Sequence, residues 1–445
     1  MPDEAGRNAM TLSRRHLLRL AATGSSALMA AAVGACRSTR RSSTRELQVW
    51  TLDLAPRFNS YMQAVISRWE RANPGITVRW TDVPWGSVER KLLAAVFART
   101  APDLVNLNPP FAANLASKGG LLDLGPLLPA DAAATYLPPI WQAGIQDGQQ
   151  FALPWYLTTR ITMANRTLLQ RAGYVAPPSH WDEVPAYAAA VRRHTGRYAL
   201  FMTVVPDDSA ELLETLVQQG VQLLDGERRA GFDSDAGRAA FAFWSELYRR
   251  GLLPQDVVSQ GYRRAIELYQ SGELAQVASG ADFLRNLQTN APGIAAVTAP
   301  YGPLTGTSGQ ANVAVMNLVV PRQSTMAREA VSFGLELTNA PNQLAFAEEA
   351  RVLPSARGAL GQLQSELAGA PVGDANARLV QRARLLSAQT LSDAAVLVPA
   401  MPGIKRLQAI LYTQLQRAML GEVSSDQALA EAALQWNRYA QSRWP

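Results

Sequence analysis

Outside residues 1–35 the chain carries two histidines, His180 and His194, both in turn contexts and neither with a partner at metal-ligand spacing, so a zinc site is not expected. No nucleophile elbow, phosphate-cradling glycine loop or dinucleotide fingerprint occurs either. Asp207 and Asp208 form an acid pair. Adjacent residues, however, do not set two carboxyls across one glycosidic bond at about 5–9.5 Å, so a glycoside hydrolase is only the alternative from another class. The remaining groups are aromatics, amides and a few acids at the ends of expected strands. Thr51, Asp53, Trp85 and Asn108 follow the first three strands; Trp155, Tyr156, Thr158 and Arg160 surround a fourth; Asp208 and Asp282 follow two later ones. Carboxylates and amides bind hydroxyls, and an indole packs on the apolar face of a pyranose, so this inventory suits binding without turnover. No cofactor is implied.

The elements that position these groups follow from periodicity. A chain of 445 residues exceeds the size at which one core keeps growing, and two lobes are expected. Residues 47–51, 76–80 and 103–107 read as strands. They alternate with helices at 58–70, where Phe58, Met62, Val65, Ile66 and Trp69 recur at helical spacing, and at 88–98. Strand and helix in repetition predict a doubly wound, mostly parallel sheet whose ligand lies beyond the carboxyl ends of its strands. The stretch Asp147–Arg166 reads as turn, short strand, aromatic corner and second strand. Ile161 and Met163 alternate there with Thr158, Arg160 and Thr162, so Trp155, Tyr156, Thr158 and Arg160 are expected to face a crevice where the chain changes lobe, with Trp155 as stacking platform. Residues 198–205, 275–278, 295–300 and 312–320 read as further strands, the last two returning to the first lobe. The expected division is 46–154 plus 298–352 for the first lobe and 155–297 plus 353–445 for the second. Two or three crossings between them would act as a hinge.

Paired arginines at Arg14-Arg15 precede an Ala-rich apolar run that ends in Val33-Gly34-Ala35-Cys36. This has the form of a twin-arginine export signal over 1–35 closed by a lipobox, with Cys36 as the acylated first residue and 36–45 as a polar tether. The chain beyond is expected on the periplasmic or cell-surface side, as a lipid-anchored monomer. Cys36 is the only cysteine, so no intrachain disulfide forms. Removing 1–35 leaves 38 basic against 34 acidic side chains, a net charge of +4 that is too mild for nucleic-acid binding. Only Lys91, Lys118 and Lys405 are lysines. The arginine excess keeps phosphate recognition as the second reading.

Many segments in order resemble the bacterial extracellular solute-binding proteins of ABC-type sugar importers, the family to which maltose-binding protein is related. They include VWT at 49–51, NPGITV at 73–78, VPW at 83–85, APDLVNLN at 101–108, DGQQFALPWYLTTR at 147–160, NLVVPRQS at 317–324 and NQLAFAEEARVLPS at 342–355. The resemblance implies two α/β lobes hinged around a sugar, small glycoside or polyol, and delivery of the closed form to a membrane permease. By the same resemblance, sugar contacts would fall on Asp53, Trp85, Asn108, Trp155, Thr158, Asp208, Asp282 and the turn from Gly309 to Asn312. Thr158 and Asp282 stand where maltose-type relatives often carry glutamate or tryptophan, so maltodextrin specificity is not implied. A glycerol-phosphate or sugar-phosphate ligand is the alternative within the same fold.

Overall fold

The computed structural model describes residues 45–444 apart from 207, 371–372 and 399–400; Cys36, the 1–35 signal, nearly all of the tether, and Asp207 lie outside the described residues. Three parallel strands open the fold: β1 (Arg45–Leu52), β2 (Ile76–Val83) and β3 (Leu104–Leu107). Between β1 and β2, the helix Asn59–Ala72 buries Tyr61, Met62, Val65 and Trp69, one apolar stripe that fixes it to the sheet. Helix Val88–Phe97 buries Val88, Leu92 and Ala95 in the same manner. A two-residue hairpin, β4 (Ile145–Gln146) and β5 (Gln149–Gln150), turns at Asp147-Gly148 as its sequence predicts.

The chain then runs into β6 (Leu153–Thr159) and, after the single residue Arg160, β7 (Ile161–Asn165). β6 belongs to the first sheet. β7 lies in a second sheet between β8 (Gln276–Ser279) and β9 (Thr298–Tyr301), antiparallel to both. The chain re-enters the first sheet as β10 (Ala311–Val319), antiparallel to β3 and β6, and two short strands complete it, β11 (Leu353–Pro354) on β6 and β12 (Ala394–Ala395) on β10. The first sheet therefore runs β11-β6-β10-β3-β1-β2.

Two lobes result, each with its own core. Leu47, Met62, Trp155, Leu318 and Phe333 lie on one side of the first sheet, and Leu52, Leu92, Leu107 and Phe111 on the other. The second lobe's core joins Met163, Tyr187, Trp244, Tyr269, Tyr412 and Trp436. Its closing helices are Asp235–Arg249, Ile404–Met419 and Ser425–Arg443. The last starts on a capping box in which Ser424 and Gln427 satisfy each other's backbone amides.

Five expectations change. Leu353–Pro354 and Ala394–Ala395, expected in the second lobe, pair with β6 and β10 of the first sheet. The expected break between 154 and 155 falls inside β6, because the ladder to β10 continues to Thr159. Thr298–Tyr301 pairs with β7 rather than returning to the first lobe. Parallel pairing is confined to β1–β3 and the short β10–β12 contact among the named strands, whereas β7 is antiparallel to both neighbours. Residues 199–205, apolar enough for a strand, form none: 199–204 are buried, Tyr198 bridges Leu274, and the Ala199 carbonyl accepts the Gln276 N–H at 2.9 Å. Among the described residues no helix is long and apolar enough to cross a membrane.

Candidate functional site

Parallel β1, β2 and β3 end along one edge, and their carboxyl ends form the first lobe's rim. Leu52 is in register with Val83, which brings Asp53 beside Trp85. Asp53 adopts the left-handed region at φ 50°, and its Oδ2 accepts the Trp85 backbone N–H at 2.7 Å. The Trp85 ring is 40% exposed and faces solvent. After β3, Asn108 caps the helix Pro109–Ser117, its Oδ1 accepting the Phe111 N–H at 2.9 Å. Asn108 also lines a crevice of about 320 Å³ together with Glu89, Asp208, Glu214, Asn312, Lys405 and Gln408. Both lobes thus contribute to it. Lys405 Nζ and Glu89 Oε1 meet at 2.9 Å from opposite lobes.

The second lobe's wall is built around the residue between β6 and β7. Arg160 Nη1 donates to Glu214 Oε2 at 3.0 Å, and its guanidinium carbon stands 5.8 Å from the Tyr262 ring centroid. Glu211 and Glu214, one turn apart on helix Glu211–Gln218, both border a deeper cavity of about 120 Å³ with Thr158, Arg160, Gln218 and Gln276. Glu211 is only 8% exposed. Burial pushes its carboxyl up to about 7, against the charge of Arg160 and with the help of Glu214 and Asp208. Asp208 Oδ2 accepts the Tyr262 N–H at 2.7 Å, at the start of helix Tyr262–Gln270. The Ser209 carbonyl accepts from Tyr412 Oη at 2.7 Å and from Gln408 Nε2 at 3.3 Å, which ties this corner to the C-terminal helices. Asn312 Oδ1 accepts the Leu397 N–H at 3.1 Å and borders both cavities.

Of the residues singled out in the sequence, Asn108, Thr158, Arg160, Asp208 and Asn312 converge on these two cavities. Asp53 and Trp85 stay on the first lobe's rim. Asp282 is exposed in the turn after β8, and Gly309 occupies an exposed turn at φ 69°; both lie outside the two cavities. Trp155 and Tyr156 do not face the crevice. Trp155 has no exposed surface, stacks on Phe346 at 5.0 Å between centroids, and meets Tyr156 edge-on at 5.3 Å. The cause is a bulge: Met316 pairs with Tyr156 but Asn317 with Pro154, so Trp155 is the extra residue and two consecutive rings enter one core. Glu89, Glu211, Glu214, Gln276, Lys405 and Gln408 carry no motif in the sequence. One signal was available: an arginine at a strand junction needs a counter-charge, and Glu211 and Glu214 share a helix face.

Two sheets bridged repeatedly by the chain, with an opening lined from both sides, define a two-lobed binding protein. The chain belongs to the family described as bacterial extracellular solute-binding protein, whose model matches residues 55–343. It is the exported, solute-binding component of an ABC transporter. A Synechococcus sp. MITs9220 protein assigned as an oligosaccharide periplasmic-binding protein is similar at 63% identity, covering 90% of this chain and 100% of that one with a TM-score of 0.85. A second crystal structure under the same description, in complex with zinc, is similar at 64% identity over the same shares, with a TM-score of 0.84. A Brucella abortus protein assigned as a binding protein is 22% identical over 398 residues, 87% of this chain and 92% of that one. The diacetylchitobiose binding protein DasA of Streptomyces coelicolor is 25% identical over 137 residues, 31% and 32% of the two chains. Among the described residues, no three of His, Cys, Asp and Glu gather where they could hold a metal ion.

Proposed function

We propose that the crevice captures an oligosaccharide or small glycoside and hands it intact to the membrane permease. The observation that carries this reading is the convergence of polar groups from both lobes, Glu89 and Asn108 from the first and Asp208, Glu214 and Gln408 from the second, on one 320 Å³ space. Hydroxyls pair well with carboxylates and amides, and closure of the lobes excludes the water that competes for them. The Synechococcus relative's description supports the same ligand class. Charge argues against the phosphate ligand. Glu89, Asp208, Glu211 and Glu214 border the two cavities against Arg160 and Lys405, and each of those cations is already paired.

Micromolar binding requires about −8 kcal/mol, within reach of several charge-assisted hydrogen bonds in a closed crevice. The test is calorimetry of the mature protein against a panel of neutral glycosides and their phosphate esters at low and high salt, with the ligand recovered afterwards. Binding of a neutral sugar that varies little with salt and returns it unaltered is the expected result. Preference for an ester with steep salt dependence reverses the ligand class, and turnover proportional to protein concentration overturns binding without chemistry. Anchorage by an acylated Cys36 is part of the same proposal. Cys36→Ser is expected to move the protein from the membrane to the soluble fraction, and an unchanged membrane fraction refutes the anchor.

A further inference from the structure

The cavity behind Arg160 is lined by charged and amide side chains, among them Arg160, Glu211, Glu214, Gln218 and Gln276. Gln276, on β8, is 3% exposed, and its Oε1 has no hydrogen-bond partner among the described residues. Glu211 is 8% exposed, and no donor reaches its carboxylate among the described residues. Both side chains line the same cavity. Three of the neighbouring polar side chains are committed elsewhere: Arg160 to Glu214, Thr215 Oγ1 to the Leu212 carbonyl, and Gln218 through its Nε2 to the Leu304 and Gln310 carbonyls and through its Oε1 to Trp181 Nε1.

An unmet buried acceptor costs free energy; Gln276 Oε1 is one, and the Glu211 carboxylate lines the same cavity without a donor. With Glu211 and Glu214 ionised against Arg160, the cavity carries one net negative charge. Its 120 Å³ holds about four waters at roughly 30 Å³ each, or an ammonium group with the ring carbon that bears it. Glu214, Asn312 and Ala314 line both this cavity and the larger crevice, so the two spaces adjoin.

We propose that this cavity is a terminal subsite for a cationic amino sugar, whose ammonium group donates to the Glu211 carboxylate and to Gln276 Oε1. The guest would supply three donors and one positive charge, which meets the two acceptors and neutralises the site. The inference rests on the crevice being a sugar site.

The test uses two matched pairs of disaccharides that differ by an amine in place of a hydroxyl: the β-1,4-linked glucosamine disaccharide against cellobiose, and trehalosamine against trehalose. Affinities are measured by calorimetry near neutral pH on the wild-type chain, Glu211→Gln and Gln276→Leu, with thermal unfolding as the check on folding. In at least one pair the amine is expected to bind about tenfold more tightly than its partner, the scale of one charge-assisted hydrogen bond. That preference is expected to fall below about twofold in Glu211→Gln and to shrink about threefold in Gln276→Leu. Equal affinities within each pair, or a preference that survives Glu211→Gln, overturn the subsite and leave the crevice as a sugar site. Failure of all four sugars to bind overturns the sugar reading together with the subsite.

Discussion

On the first lobe's rim, Asp53 and Asn108 each accept a hydrogen bond from a backbone amide of their own lobe. On the second lobe's wall, Arg160, Glu211 and Glu214 depend on one another, and Glu211 is held near its neutralisation point by burial. The first lobe presents groups whose orientation is fixed before a ligand arrives. The second presents charge that a ligand can rebalance. Orientation fixed by backbone amides selects the shape of a hydroxylated ligand, whereas the wall whose charges depend on one another is where one such ligand is told from another of equal shape.

This contrast predicts effects of graded size. Trp155→Ala is expected to be the largest, because the ring has no exposed surface and stacks on Phe346. It should cost about 3–5 kcal/mol of apo stability in denaturant unfolding and leave ligand affinity unchanged. Loss of affinity with stability intact would place the indole in the crevice and blur the division between core and rim. Glu211→Gln acts in the opposite sense. Below pH 4.5 Glu211 is protonated in both states and costs nothing. As pH rises through about 7 the folded protein must ionise a buried carboxyl, and stability is lost. At about pH 8 the substitution should therefore stabilise the apo protein, by up to about 3 kcal/mol, with no gain at about pH 4. A gain that does not vary with pH would remove charge as the distinguishing property of the second wall.

Asn108→Ala removes a helix cap and should cost about 1 kcal/mol at any pH in the neutral range. A pH-dependent loss would show that the first rim is electrostatic as well. Smallest is the contact across the crevice. Lys405 and Glu89 are both more than a third exposed, so Lys405→Ala should change stability by less than about 1 kcal/mol, and less still at high salt. A large or salt-resistant effect would mean that this pair, rather than the ligand, holds the lobes together.

Much of the first lobe was legible because its strands and helices obey simple periods. Tyr61, Met62, Val65 and Trp69 define one helical face, and the ends of β1, β2 and β3 follow from parallel pairing. The bulge at Trp155 was not legible, since strict alternation predicts that one of two adjacent rings points outward, and only the partner strand β10 shows where the register slips. Residues 199–205 have the composition of a strand, but composition cannot supply a neighbour to pair with. In the site, Asn108 and Arg160 announced themselves by position, after a strand and between two strands. Glu211, Glu214 and Gln276 could not, because they meet Arg160 only through folding across 51 or more residues and sit in elements whose local pattern reads as ordinary helix or strand.

Arg160 is the whole of the covalent link between β6 and β7, and it is also a cation of the second wall, paired with Glu214. A joint and one charge of the wall therefore coincide in one residue. Any rotation of its backbone that swings one lobe against the other also re-aims the guanidinium relative to Glu214. Whatever settles in the cavity beside that pair exerts leverage on the pivot directly, with no relay of intervening side chains. A transporter that reads only the angle between the lobes would, through this residue, be reading the electrostatic state of the cargo.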